Sequence, residues 1–284
     1  MARKTIFELY QQNNDRERDY ARIVSLVRSN KCVVKRSDSN TGWPLKHMFE
    51  VGFREWKQRG RCISLEDYLQ TIDFESIKIC AGAFTDNFLT YIEVIYNAWF
   101  FVDKEIKDHW TVIQWGVDGK ELRRLMDEVL SEMNQKAYYD PETEQCLIGE
   151  DSPQVTTAVE ATEPETASQI LHYNHRQLAG NITAKRVLLK NLADYLEGRK
   201  DELKSVNMQL FTDINSALNN LSIRHNNLDP RNPNRYKEKL AQMSQEELEK
   251  WYDDVYQMVL LAILEMDNVE RRDRVRTMIQ EINQ

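Results

Sequence analysis

Apolar residues recur at three- and four-residue spacing along most of the chain, which is the pattern of amphipathic helices. Up to about residue 135 this pattern predicts six or seven helices, among them residues 6–10, 20–27 and 65–72. The stretch from residue 86 to residue 104 is apolar almost all round, so we expect a buried central helix there. The first half of the chain is therefore predicted to be a helical domain.

The second half is predicted to contain longer helices. Three successive segments each carry a periodic apolar face: residues 162–180, 182–196 and 203–225. Ser244 and Glu247 have the spacing of a capping box, which predicts the start of a further helix that ends near residue 268. Two antiparallel helix pairs joined by a polar loop predict a four-helix bundle.

One segment breaks the helical pattern. Residues 137–139 and 145–148 are prone to form strands, and Asp140-Pro141 lies at a turn between them, so we predict one small β-hairpin near residues 137–148. The residues after it are acidic and rich in Thr and Pro, which is typical of a linker or an exposed loop. The predicted fold class is all-α with at most this one hairpin. The predicted organisation is an N-terminal helical domain, an acidic linker or exposed loop and a C-terminal bundle: residues 1–150, 151–166 and 167–284.

Composition supports a folded helical protein, and the charge is local. Of the 284 residues, 41% are hydrophobic and only 9 are Gly and 6 Pro, which suits a real core and long helices. The net charge is -8, and residues 139–166 hold eight acidic side chains and no Lys or Arg, so the rest of the chain is neutral. A neutral bulk has no sequence-wide attraction for nucleic acid, and phosphate binding would need a patch that folding assembles.

Several classes of protein have no support in the sequence. The four cysteines are far apart and form no C-x-x-C pair, so we interpret them as reduced thiols and expect no zinc site and no disulfide framework. The longest apolar run, residues 258–264, is far shorter than the roughly 20 residues that span a bilayer. No nucleotide-binding, serine-hydrolase or zinc-protease motif occurs. We therefore expect a cytoplasmic protein without a cofactor and without membrane contact.

The most informative segment is the polar run from residue 219 to residue 235. It gathers amides, guanidinium groups, one carboxylate and one imidazole: Asn219, Asn220, Arg224, His225, Asn226, Asn227, Asp229, Arg231, Asn232, Asn234 and Arg235. Arg offers a rigid fork of donors for phosphate or carboxylate, and His exchanges protons near neutral pH. Asn and Asp are also ordinary helix-stop and turn residues, and in the structural interpretation Arg224 pairs with an acid on a neighbouring helix. Both interpretations stay open at this point.

A helix that ends in an Arg- and His-containing polar motif, a short loop and a following long helix within an all-α bundle resembles the HEPN superfamily of prokaryotic toxin and antiviral proteins. The resemblance covers residues 167–284. The segments YNHRQLAG and WYDDVYQMVLLAILEMDN are also similar to bacterial abortive-infection proteins. The usual HEPN motif separates its Arg from a downstream His by several residues, whereas here Arg224 and His225 are adjacent and no His follows.

The resemblance implies a metal-independent endoribonuclease that acts in antiphage defence or as a toxin. Many HEPN proteins dimerise so that Arg and His from two subunits form one site, and we accordingly expect a homodimer that binds RNA. His225 would then be the general acid or base, Arg224 and Arg231 would hold the scissile phosphate, and Asn226 and Asn227 would fix its position. We expect four further side chains to bind substrate: Asn220, Arg235, His175 and Arg176.

A second hypothesis makes the chain a non-catalytic interaction or regulatory subunit of a defence complex. In that case the polar run stabilises the bundle, and the acidic stretch at 139–166 engages a basic protein partner. Glu249 and Asp253 lie four residues apart on one helix face, and we expect them to neutralise Arg224 or Arg231.

Overall fold

The computed structural model describes residues 16–71, 84–108 and 112–283, and it divides the chain into two compact units, residues 1–137 and 138–284. The described residues are mostly helical, as the apolar periodicity predicts. The helix predicted at residues 6–10 lies outside the described residues. No helix in the described part of the chain combines the length and the hydropathy needed to cross a membrane.

The first unit contains five helices in its described part: α1 Arg16–Val27, α2 Leu45–Gly52, α3 Leu65–Thr71, α4 Phe84–Asp108 and α5 Val117–Glu132. Two short 3-10 turns, Phe53–Glu55 and Lys57–Arg59, follow α2. The prediction of a buried central helix is confirmed by α4, since Phe88, Ile92 and Tyr96 are each at most 1% exposed. Aromatic side chains from α2 and α4 pack edge to face, as between Phe49 and Phe101.

The first unit also contains a small antiparallel sheet. Its strands are β1 Val33–Lys35, β2 Asp38–Trp43 and β3 Ile113–Trp115, in the order β2-β1-β3. The prediction of at most one hairpin was therefore wrong. Strands of three to six residues are too short to show a clear two-residue alternation, and β3 pairs with a strand that precedes it by nearly eighty positions.

Gly116 allows the sheet to approach the backbone beside it. A Cβ atom at this position would lie 2.0 Å from the carbonyl oxygen of Lys31, so no other residue fits without a shift of the backbone.

The second unit consists of a hairpin and six helices in its described part. The hairpin strands are β4 Gln135–Asp140 and β5 Gln145–Glu150, which confirms the predicted hairpin. The helices are α6 Pro153–Glu160, α7 Pro164–Asn174, α8 Ile182–Gly198, α9 Lys200–Asn220, α10 Glu238–Ala241 and α11 Gln245–Ile282. The packing of α11 against α6, α8 and α9 forms the core of this unit. The HEPN-like topology of the bundle stays a prediction.

The boundary between the units differs from the expected one. The hairpin packs into the second unit, because Tyr138 and Leu147 belong to that unit's hydrophobic core. The residues expected to form a linker contain α6, whose Val155 and Ala158 are fully buried in the same core.

The long helices differ from the predicted segments in two places. The capping box of Ser244 and Glu247 is confirmed, but α11 continues to Ile282, well past the expected end near residue 268. α9 is interrupted at Asn207, whose φ of -150° and ψ of 87° are not helical. The Asn207 side chain accepts a hydrogen bond from the Leu210 amide at 2.9 Å, as an N-cap does, so the helix restarts there.

Asp140 joins the hairpin to α7. Its buried carboxylate accepts hydrogen bonds from the Thr143 hydroxyl at 2.7 Å, the Ser168 hydroxyl at 2.8 Å and the Glu142 amide at 3.0 Å, and the His172 Nε2 atom lies 3.3 Å away. Burial by itself raises the pKa of Asp140, but the bonds from His172, Thr143, Ser168 and the Glu142 amide outweigh it and hold the pKa at about 2. The ionised carboxylate is therefore the form that stabilises this junction.

We predict that Asp140 makes the stability of the second unit dependent on acid. Its folded pKa lies below the unfolded value of 3.8, so its contribution is complete above about pH 4 and is lost as the pH falls towards 2. That contribution is about 2 kcal/mol. Urea unfolding should show Asp140→Asn less stable than wild type at pH 6, with the difference shrinking towards pH 2. Asp151→Asn, on an exposed side chain, is the control and should unfold like wild type. A difference in the free energy of unfolding between wild type and Asp140→Asn that stays constant with pH would contradict this account.

Candidate functional site

The candidate residues lie mainly in the loop that joins α9 to α10. We call residues 221–237 the polar loop. It begins after Asn220, the last residue of α9, and Ser222 adopts a φ of +61°, which turns the chain sharply away from the helix axis. Pro230 and Pro233 keep the following residues from continuing as a helix. The segment therefore has to satisfy its polar backbone through its own side chains.

Asn227 takes part in three of the hydrogen bonds that hold the polar loop together. It is only 3% exposed, and its amide nitrogen Nδ2 donates to the Arg235 carbonyl at 3.1 Å. Its backbone carbonyl accepts from the Lys237 amide at 2.9 Å, and its backbone amide donates to the Ser222 hydroxyl at 3.2 Å. Asn227 thus connects both ends of the polar loop. This geometry gives it a structural position instead of the phosphate-contacting one expected from the sequence.

Arg224 is held inside the second unit. Its guanidinium Nη1 donates to the Asn215 Oδ1 atom at 2.6 Å, and its Nη2 lies 3.6 Å from the Glu197 carboxylate. The side chain is 21% exposed, and the gap beside it, lined by Leu203 and Phe211, has a volume of about 10 Å³. A gap of that size holds at most about one water molecule. Arg224 therefore ties the polar loop to α8 and α9, as the structural interpretation of the sequence proposed.

Three cationic or imidazole side chains of the polar loop are free of such ties. His225 is half-buried, Arg235 and Lys237 are exposed, and none of the three side chains has a hydrogen bond or ion pair within the described ranges. Arg231 is also open to solvent, with its side chain 88% exposed, and it forms a two-pronged pair with Asp229 at 2.9 and 3.0 Å. These four side chains are the positively charged and imidazole groups of the loop that a ligand can reach.

The remaining asparagines of the prediction are exposed but locally bonded. Asn226 accepts a hydrogen bond from the Leu228 amide at 3.2 Å, which is an Asx turn. Asn220 donates from its side chain to the Ser216 carbonyl at 2.8 Å. Both side chains lie at the loop surface, and their roles in substrate binding stay predictions.

His175 and Arg176 directly follow the C-terminal end of α7 and lie beside the hairpin. His175 forms an isolated antiparallel bridge with Gly149, and Arg176 begins a 3-10 turn that packs on β5 and α8. A Cβ atom at Gly149 would lie 2.5 Å from the Asn174 carbonyl oxygen, so the close approach of the two segments needs glycine there. The structure thus gives these two residues a place beside the hairpin, and their contact with substrate stays a prediction.

The sequence analysis missed a buried lysine, Lys185. This side chain, 6% exposed as a residue, places its ammonium 2.7 Å from Glu249 and 2.6 Å from Asp253. The expectation that Glu249 and Asp253 neutralise Arg224 or Arg231 was therefore wrong. The pair does need a cation, but that cation comes from α8, and the pattern on one helix cannot indicate which neighbouring helix supplies it.

The surroundings of Lys185 are fully bonded. Glu249 also accepts the Gly180 amide at 2.7 Å, and although burial acts in the opposite direction, its bonds to Lys185 and Gly180 lower the pKa of Glu249 below its usual value. Tyr173 donates to Asp253 at 2.9 Å, and burial together with the charge of Asp253 raises the pKa of Tyr173. This arrangement compensates a buried charge and is explained by stability alone.

Positive charge is concentrated in two places within the second unit. That unit contains 17 basic and 25 acidic residues, whereas the polar loop contains four basic residues and one acid, Asp229, and residues 271–276 contain four Arg and one Asp. In the described ranges no group of three or more His, Cys, Asp or Glu side chains is arranged to hold a metal ion. The polar loop is therefore an exposed, locally positive segment that carries one imidazole side chain.

We predict that Arg224 and Arg231 differ in their effect on stability. Arg224→Ala should lower the free energy of unfolding by about 1 to 2 kcal/mol, because it leaves the Asn215 Oδ1 atom without its donor and leaves Glu197 with Lys200 as its one remaining cation in the described ranges. Arg231→Ala removes the same charge from an exposed side chain and should stay within about 0.5 kcal/mol of wild type. Thermal and urea unfolding of both variants would measure this. Equal losses of stability would show that the observed bonds of Arg224 do not matter.

Comparisons of this chain with family models, with curated proteins and with solved structures gave no match. The HEPN resemblance stays a prediction, and the function has to be argued from the geometry of the polar loop.

Proposed function

We propose that the second unit binds RNA through the polar loop. The observation that supports this most strongly is the contrast within the loop: Asn227 and Arg224 hold its backbone, while the side chains of His225, Arg235 and Lys237 have no hydrogen bond or ion pair in the ranges described. A loop that is already ordered loses little conformational entropy on binding, so more of its contact energy appears as affinity.

The residue types suit a phosphate-bearing ligand. Arginine presents several donors in a plane that matches phosphate oxygens, and lysine adds a compact positive charge. The exposed guanidinium of Arg231 can exchange its local partner Asp229 for a phosphate at little cost, because an exposed ion pair contributes only about 0 to 1 kcal/mol. The acidic remainder of the unit repels a polyanion and so favours contact at the polar loop.

The proposal changes the roles expected from the sequence. His225 remains the side chain for proton transfer to or from a ribose hydroxyl or leaving oxygen, since its imidazole is unengaged. Arg231 and Arg235 hold the phosphate. Arg224 and Asn227 act as positioning residues, which keep His225 and Arg235 in place. The setting that the family resemblance implies is antiphage defence.

The binding test compares charge-matched double variants with single-stranded RNA as the probe. The variant that combines Arg235→Ala with Lys237→Ala should bind RNA at least tenfold more weakly. The slope of log K against log salt concentration should also become shallower by about 1.4, because two phosphate contacts are lost. Lys190→Ala with Lys250→Ala removes the same charge from exposed positions outside the loop and should change affinity less than twofold. Fluorescence anisotropy at several salt concentrations measures both.

Two results would contradict RNA binding by the loop. One is an equal loss of affinity in the two double variants, which would mean that only net charge matters. The other is the absence of wild-type binding at low salt. Cleavage is tested separately: His225→Ala should keep RNA affinity and lose any cleavage that wild type shows, and equal cleavage by both proteins would remove His225 from that role.

A second candidate function is self-association through the end of α11, in line with the interaction hypothesis. Residues 270–283 are exposed throughout, and four apolar side chains there are 50% to 74% exposed: Val275, Met278, Ile279 and Ile282. Their spacing puts them on one face of the helix. An exposed apolar stripe on a helix that extends from the core is typical of a surface that pairs with another helix.

The partner that fits this stripe is a second copy of the chain, in antiparallel orientation. The stripe is symmetric about a point between Met278 and Ile279, so in such a pair Val275 faces the partner's Ile282. The dimer that the HEPN resemblance implies would then be held at least in part by α11.

Sedimentation of the full chain tests this pairing. Wild type should dimerise at concentrations of tens of micromolar or above. Ile279→Glu should be monomeric, because it places a charge in the middle of the apolar stripe. A monomeric wild type, or an Ile279→Glu variant that dimerises like wild type, would rule out the antiparallel α11 dimer.

A further inference from the structure

The first unit contains an apolar cavity, open to solvent on one side, that RNA binding by the second unit does not involve. Its volume is about 200 Å³, and its walls come from α1, α2, α3 and α4, with Val24, Phe49, Leu65 and Ile95 among the lining side chains. An apolar ligand in this cavity would gain dispersion contacts with these side chains and would be removed from water.

Two cationic residues line the same cavity. Arg28 directly follows α1 and Lys46 lies in the first turn of α2, and both are exposed, so the cavity reaches the surface where they lie. Among the residues that the structure describes, neither side chain has a hydrogen bond or an ion pair, and no carboxylate lines the cavity. The cavity therefore combines an apolar interior with an uncompensated positive rim.

Aromatic side chains form part of the cavity wall. The rings of Tyr20 and Tyr91 meet edge to face with centroids 5.1 Å apart, and both line the cavity, which gives it an aromatic side.

We propose that this cavity binds a small amphipathic carboxylate, with its apolar body between the four helices and its carboxylate between Arg28 and Lys46. An apolar cavity of about 150 Å³ is known to take up benzene, so the present one suits an aromatic ring with one or two further carbon atoms. A carboxylate that accepts charge-assisted hydrogen bonds from Arg and Lys binds more strongly than a neutral head group, because such bonds are stronger than neutral ones. This site is independent of RNA binding, because every lining residue belongs to the first unit.

Phenylacetate is the probe, and calorimetry with the full chain is the measurement. Phenylacetate should bind saturably to wild type. 2-Phenylethanol, which keeps the ring and lacks the charge, should bind at least tenfold more weakly. Arg28→Ala and Lys46→Ala should each weaken phenylacetate binding about tenfold and reduce its advantage over the alcohol. Arg36→Ala removes one exposed positive charge elsewhere in the unit and should leave both affinities unchanged.

A cavity-filling variant provides an independent arm. Val94→Phe places a ring into the cavity and should abolish phenylacetate binding while the protein still unfolds cooperatively. The proposal is overturned if wild type binds neither probe, if the alcohol binds as well as the carboxylate, or if Arg28→Ala and Lys46→Ala bind like Arg36→Ala. Phenyl phosphate tests the head group: binding tighter than that of phenylacetate would replace the carboxylate in this assignment by a phosphate.

Discussion

A long loop between two helices stays ordered when its buried backbone polar groups find partners, and in the polar loop Asn227 connects the two ends. Its backbone amide donates to the Ser222 hydroxyl, its side-chain nitrogen donates to the Arg235 carbonyl, and its backbone carbonyl accepts from the Lys237 amide. Leaving such a buried group unpaired costs about 1 to 3 kcal/mol, so these bonds fix the course of the chain. Arg224 adds a second constraint by holding the start of the loop against Glu197 and Asn215. The side chains of Arg231, Arg235 and Lys237 are left exposed.

The same principle governs the other buried charges of the second unit. Asp140 is surrounded by hydrogen-bond donors, and Lys185 lies between Glu249 and Asp253, so each buried ion has its charge compensated. These clusters hold the hairpin to α7 and α8 to α11. The polar loop differs because its positive charges outnumber its one acid and face solvent. This difference is the physical reason to assign ligand binding to the loop and stability to the other clusters.

The sequence predicts the parts of this structure that depend on local pattern. The central helix α4, the hairpin around Asp140 and the capping box at Ser244 each follow from neighbouring residues, and the structure contains all three. Composition also identifies the polar loop as a segment dense in amide, guanidinium and imidazole side chains. The sequence cannot indicate that Arg224 is engaged while Arg235 is free, because that depends on Glu197, which folding brings from another helix. The pairing of β1 with β3 and the position of Lys185 likewise depend on contacts between distant residues.

The central claim is that an ordered polar loop presents its free cations to RNA. Hydrogen exchange measured by mass spectrometry, on the full chain with and without single-stranded RNA, tests this most directly. The account predicts slow exchange at the Asn227 and Lys237 amides in the free protein, and added protection on RNA binding that is concentrated in residues 221–237. Fast exchange throughout the loop in the free protein, or RNA-dependent protection elsewhere and none in the loop, would contradict it.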